Sequence, residues 1–225
     1  DKVVLIAAFV AVILLGMSFL FGSLSFGEQE RILADFGLTA IHLVGLGVSI
    51  FFGSFVIHRE VERQTCLLVL ARPVGRAQFI LGKYIGILLL NTIIGGILAT
   101  VLYALLGFKF SLAKYFLVMA GIWVEQTVLT ALAISASTFL MSPISMFTCL
   151  TIFFAGNSLD EVGFFIKKTH DRTYTGIFEV LEKIIPNFFE MNWRSTYFLE
   201  RGVPLGNFIW ALFHGLAWVI LALSF

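Results

Sequence analysis

The sequence predicts an all-α membrane protein with six transmembrane helices, and three observations carry that prediction. Hydrophobic residues make up 59% of the 225 and charged residues 13%, against roughly 45–50% and about 25% in soluble domains. Mean hydropathy is +0.98. Uncharged or nearly uncharged runs occupy residues 3–24, 36–57, 84–108, 115–141, 144–159 and 208–225, most near or above the about 20 residues a helix needs to cross a hydrocarbon core about 30 Å thick. Lys and Arg number 15 against 14 Asp and Glu, so no basic surplus points to nucleic acid as a partner.

The first run starts directly after Asp1-Lys2. With no methionine ahead of it, the chain reads as one whose natural start lies further upstream. The run lacks a small-residue cleavage pattern and is expected to span rather than to be removed as a signal peptide. Between the fourth and fifth runs, Ser142-Pro143 marks a tight turn, so these two spans form a helical hairpin. The fifth run is the shortest. Cys66 falls in a polar connection and Cys149 in an apolar span, which makes both free thiols rather than disulfide partners.

Orientation follows from Lys and Arg in the short connections. Residues 58–83 carry Arg59, Arg63, Arg72, Arg76 and Lys83, whereas residues 25–35 carry only Arg31 beside Glu28, Glu30 and Asp35. The former connection is therefore expected inside the cell, with both termini. That leaves 157–207 outside, together with Lys109 and Lys114, which run against the rule. Within this outer segment Ile177, Leu181, Ile184 and Phe188 recur at helical spacing, and Glu179 and Lys183 form an i,i+4 pair. An amphipathic helix ending near Pro186 is expected. Phe188, Phe189, Trp193 and Tyr197 place the segment in the outer interface, where aromatic rings are favoured. It serves either as a cap on the bundle or as a contact surface.

The connection HREVERQTCLLVLARPVGRAQFILGKYIG, residues 58–86, is the most informative stretch. It is polar, then apolar from Cys66 to Ala71, and reads as a short helix partly sunk in the inner interface and stopped by Pro73. The pattern Glu60-x-Glu62-Arg63-x-Thr65, Leu70-Ala71-Arg72-Pro73-Val74-x-Arg76, Gly82-Lys83-Tyr84-x-Gly86 resembles the cytoplasmic signature of ABC-2 type permeases. Its closest likeness is to the branch named for multicopper-enzyme maturation. Gly27-Glu28-Gln29-Glu30-Arg31, Asp35-Phe36-Gly37-Leu38 and Ile185-Pro186-Asn187-Phe188 agree with it.

The resemblance implies a six-helix fold of the ABC-2, type V exporter-like kind, in a bacterial cytoplasmic (inner) membrane, with an amphipathic elbow upstream of Asp1. It also implies a mechanism. Two copies pair as a homodimer, each docks a separate ABC ATPase subunit, and ATP and Mg bound by that partner drive export. Glu60, Glu62, Arg63 and Thr65 would then lie in a coupling helix, with Arg72, Pro73 and Arg76 in its exit turn. The plain alternative is a solvated inner loop whose arginines are set by topology alone.

Inside the spans, Glu125 stands where an uncompensated carboxylate costs at least about 2.5 kcal/mol. It is a proton or cation site in a pathway, a polar contact between two permease copies, or a hydrogen-bonded glutamate fixing helix contacts. His42 and His214 each read as lone histidines on apolar faces, suited to hydrogen bonding rather than metal ligation, because zinc or copper wants three or four convergent ligands. Gly82 and Gly86, with Ser49 and Gly53, have the small-x-x-x-small spacing that permits close helix contact. The sequence has no Walker A, HExxH or GxSxG motif, so it predicts no catalytic residue and no cofactor held by this chain. The function expected is transport, with lipid around the spans. A second reading, from another class, is a non-transporting anchor that passes ATPase-driven motion to an extracytoplasmic partner. An intramembrane enzyme or a channel is disfavoured, since no catalytic constellation or polar pore stripe is present.

Overall fold

The computed structural model describes residues 9–10, 13, 16–17, 20, 29–62, 75–107, 111–169, 176, 178, 181, 184–193 and 205–224. Among them are five long helices: α1 (Gln29–Glu62), α2 (Arg76–Leu105), α3 (Leu112–Phe139), α4 (Ser142–Thr169) and α5 (Leu205–Ser224). A 3-10 turn, Phe189–Met191, lies between α4 and α5. All five helices contain a stretch long and apolar enough to cross a membrane. Of the first predicted span, 3–24, the described positions are helical, with Phe9, Ile13 and Leu20 exposed.

Helix ends do not coincide with the ends of the uncharged runs. Helix α1 runs through His58, Arg59 and Glu60 to Glu62 without a break, where the hydropathy pattern ends the second span at 57. Nothing in that stretch stops a helix, since Glu and Arg propagate it nearly as well as leucine. Its 34 residues give a rod of about 51 Å, well beyond the hydrocarbon thickness. Helix α4 likewise continues to Thr169, ten residues past the expected end at 159, through Asp160 and Glu161. It opens with Pro143 in its first turn, where a missing N–H costs nothing, and Met141 O accepts from Ser145 N at 2.9 Å. Only Leu140 and Met141 separate α3 from α4.

Helix α3 is central. The other four helices all pack on it, and its buried set runs from Tyr115 through Val128 and Leu129 to Ser137. By contrast α2 leaves Ile85, Leu89, Ile93 and Ile97 exposed, an i,i+4 row that turns one apolar ridge outward. Leu181 and Ile184 of the expected outer helix are also exposed, whereas Phe178 and Phe188 are buried.

Of the expected outer interface aromatics, Phe189 is exposed, whereas Phe188 and Trp193 are buried inside the bundle. Phe188 and Met191 are fully buried and Trp193 nearly so, and the stretch 186–193 is set between α3, α4 and α5. Two glycines admit it: a side chain at Gly121 would strike the Met191 carbonyl and the Trp193 ring, and one at Gly156 would strike the Pro186 carbonyl and Phe188. Residues 177, 179, 183 and 197 lie outside the described residues.

Of the two small-residue pairs expected to allow close helix contact, Ser49 and Gly53 make one and Gly82 and Gly86 do not. Gly82 and Gly86 are exposed on α2, and a Cβ at either meets nothing within 4 Å, so they make no such contact among the described residues. Gly53 on α1 instead faces Ala133 and the Thr130 carbonyl of α3, beside buried Ser49. Gly82→Leu and Gly86→Leu are therefore expected to leave thermal stability in detergent unchanged or raised by up to about 1 kcal/mol through helix propensity. Gly53→Leu should lower it by about 1–3 kcal/mol through overpacking. Equal losses at all three positions would contradict this assignment.

Candidate functional site

Three helices bring a polar side chain to one depth. His42 on α1, Asn91 on α2 and Glu125 on α3 each sit within two residues of the midpoint of their spans, the depth at which an unpaired polar group is most costly. His42 is 4% and Glu125 1% exposed. Nε2 of His42 and Oε2 of Glu125 are 2.9 Å apart and share a hydrogen bond. The histidine is thus not alone on an apolar face. Its partner lies 83 residues away and is presented by the α1–α3 contact. The Phe153 ring of α4 stands 5.8 Å from the imidazole, and Phe188 stands 6.0 Å from Phe153. Glu125 is buried inside the chain. Its Oε1 has no hydrogen-bond partner among the described residues.

One turn further along α1, Gly45 leaves room for the Gln126 carboxamide, which occupies the space a Cβ would take. The neighbouring Asn91 amide donates through Nδ2 to Ser49 Oγ at 2.6 Å and to the Gly45 carbonyl at 3.3 Å. A carbonyl only accepts, so that contact fixes which end of the amide is nitrogen. Asn91 Oδ1 is left buried without a partner among the described residues. Ser49 Oγ in turn donates to Gln126 O at 3.4 Å, and Thr130 Oγ1 donates to the same carbonyl at 2.7 Å. These bonds tie α1, α2 and α3 together at mid-span.

Asn91 and Gln126 also line a cleft of about 670 Å³ between α2 and α3, together with Ile41 of α1. Its walls are apolar apart from a few hydroxyl and amide groups, and Trp123 Nε1 donates across it to Thr92 Oγ1 at 2.9 Å.

His214 does not join this layer. It accepts from Trp218 Nε1 at 3.1 Å, an i,i+4 contact along α5. Among the described residues no three of His, Cys, Asp and Glu gather as a metal site would require.

A family described as ABC-2 family transporter protein matches residues 2–159, more than half of the chain. This chain belongs to the ABC-2 transporter family. No individual curated protein matches it. The match takes in α1, α2, α3 and most of α4, and with them the whole mid-span polar layer. It holds at the level of the family and does not extend to a branch within it. As an ABC-2 protein the chain is a multi-pass transport subunit of the membrane, not itself catalytic, and its membership implies an ABC ATPase as partner.

Of the residues expected to couple this ABC-2 subunit to its partner, the three that are described fall at the ends of α1 and α2. Glu60 and Glu62 are in the last turns of α1, and Arg76 is the first residue of α2. The two acidic residues therefore continue the spanning helix, where a separate coupling helix was expected. Arg63, Thr65, Arg72 and Pro73 lie outside the described residues. Asn91, Gln126 and Ser49 were not singled out as an interacting set. A lone asparagine within an apolar run such as ILLLNTII is the available signal, because an amide at that depth requires a partner.

Proposed function

We propose that this chain is the permease half of an ABC exporter in a bacterial cytoplasmic membrane, working as a homodimer with two copies of a separate ATPase. Membership of the ABC-2 family supports the transport role. The observation that carries the coupling is the unbroken course of α1. Its apolar part ends at Val56, and Glu62 lies six residues on, about 9 Å beyond that edge. A helix end at this distance clears the hydrocarbon, and its two glutamates would be matched by basic groups on a soluble partner. Along the same rod Glu60 is about 27 Å from His42, so force applied at the acidic end reaches the His42–Glu125 bond through continuous helix. The likeness to the multicopper-enzyme-maturation branch rests mainly on residues 58–86 and adds no copper chemistry to the proposal.

The experiment replaces Glu60 and Glu62 together with alanine. Loss of two charge-assisted contacts, worth about 1.5–3 kcal/mol each, is expected to reduce co-purification of the ATPase subunit at least tenfold while membrane insertion stays at the native level. Co-purification at native yield would remove the coupling assignment.

A second reading, a non-transporting anchor for an extracytoplasmic partner, has one observation in its favour. Residues 186–193 are rooted between α3, α4 and α5, so movement of those helices would carry that segment with it. Reconstituted complex in proteoliposomes separates the two. ATP-dependent movement of a substrate supports the exporter; normal ATP turnover with nothing moved supports the anchor.

A further inference from the structure

We propose that residues 186–193 form a cover that shuts the His42–Glu125 pair off from water on the membrane side opposite Glu62, and that lifting this cover opens an aqueous route to the Glu125 carboxyl. The segment is one chain thick and two-faced. Phe188 and Met191 are 0% exposed, whereas Phe189 and Glu190 between them are exposed. A charged side chain such as Glu190 belongs in water rather than hydrocarbon, so water stands over one face of the segment and the bundle lies under the other.

What lies under it is the pair. Gly121, which admits the Met191 carbonyl, precedes Glu125 by one turn on the same face of α3, about 6 Å along the axis. The Met191 side chain reaches on to Gly215 of α5, beside Val124 and Val128. Over the histidine the contacts are different ones. Gly156 admits the Pro186 carbonyl and Phe188, and Phe188 packs on Phe153, the ring that stands against His42. The cover thus bears on each member of the pair through its own set of contacts. Glu125 Oε1 has no hydrogen-bond partner among the described residues, so water entering under a lifted cover finds an acceptor there. The cover is also the wall most easily moved. It is irregular chain around a single 3-10 turn, wedged by the two glycine notches and tied to α4 through Asn187, whose Nδ2 donates to Asp160 Oδ1 at 3.4 Å. Such a segment opens at lower cost than a spanning helix.

The test uses the purified full chain in phosphatidylcholine nanodiscs, with two readouts. Lifting is followed by maleimide labelling of Met191→Cys, a fully buried position, with Cys66 and Cys149 replaced by alanine. Water access is followed by a water-soluble carbodiimide with glycine ethyl ester, read by mass spectrometry at Glu125, with the exposed Glu161 as internal standard. Gly121→Leu fills the seat of the cover and is expected to raise both signals about tenfold or more, the effect of overpacking against a backbone atom on an opening equilibrium. Asp160→Ala removes the tie and should raise both about fivefold, the effect of one ordinary hydrogen bond. Gly53→Leu overpacks α1 against α3 away from the cover and should leave both at the native level. If Gly121→Leu fails to elute as a monodisperse species, Asp160→Ala decides alone, and unchanged signals there overturn the proposal. So do Glu125 modified in the native chain as readily as Glu161, a thiol exposed at 191 in Gly121→Leu with Glu125 still unmodified, or an equal rise at Glu125 in Gly53→Leu.

Discussion

Replacing Glu125 with alanine is expected to destabilise the protein by about 1–3 kcal/mol, because His42 keeps its burial and loses its hydrogen bond to the carboxylate. Two features put the effect near the upper end. The pair sits at mid-span, where water is not at hand to replace the lost partner, and Glu125 is among the largest fully buried side chains, so truncation also leaves a cavity. Glu125→Gln keeps the volume and an amide able to bond the imidazole, and should lose less than half as much. The cycle of His42→Ala, Glu125→Ala and the double variant isolates the link between them. Interhelical hydrogen bonds in membranes average about 0.6 kcal/mol and reach about 1.7. We expect a coupling of at least 1 kcal/mol in that range, read from denaturant unfolding in detergent. Strictly additive losses would mean that the two residues do not act on one another.

Gly121→Leu should be more disruptive still. Its side chain would meet the Met191 carbonyl and the Trp193 ring, and a backbone atom cannot turn aside as a side-chain tip can. Overpacking of this kind costs about 1–3 kcal/mol where neighbours yield. Here yielding means releasing 186–193, with loss of burial for Phe188, Met191 and Trp193, about 1.5–3 kcal/mol for each large apolar side chain. The expected result is a loss of more than about 3 kcal/mol. It should be accompanied by at least tenfold faster maleimide labelling of Asn192→Cys, in a background with Cys66 and Cys149 replaced by alanine. Gly47→Leu serves as the control, since a Cβ at Gly47 meets nothing within 4 Å. Unchanged labelling in Gly121→Leu would show that the segment holds its place by other contacts.

What the sequence made legible was membrane residence and the approximate position of each described span, because long uncharged runs have few other physical solutions. The ends were less legible. Hydropathy marks where lipid stops, while helix propagation depends on propensity, and α1 and α4 both continue through charged residues that favour helix. Glu125 stood out because a carboxylate in an apolar run is conspicuous, but its partner was hidden: the periodicity of one helix gives a face and does not say which helix meets it. For the same reason Ser49 and Gly53 could not be told from Gly82 and Gly86, which share the spacing and lie on the outward side of α2. Trp193 and Phe188 read as interface aromatics because composition cannot see the gaps that Gly121 and Gly156 open for them.

Helix α1 meets α3 through two notches, Gly45 over the Gln126 amide and Gly53 over Ala133, eight residues or about 12 Å apart. Sliding α1 by one turn would bring Ser49 or Ile41 to a notch that has no volume for either. The two helices are therefore keyed in a single register, like teeth on a rack. A swing about these fulcrums keeps both notches filled, so whatever stroke the Glu62 end of α1 receives should be converted into an angle rather than a displacement.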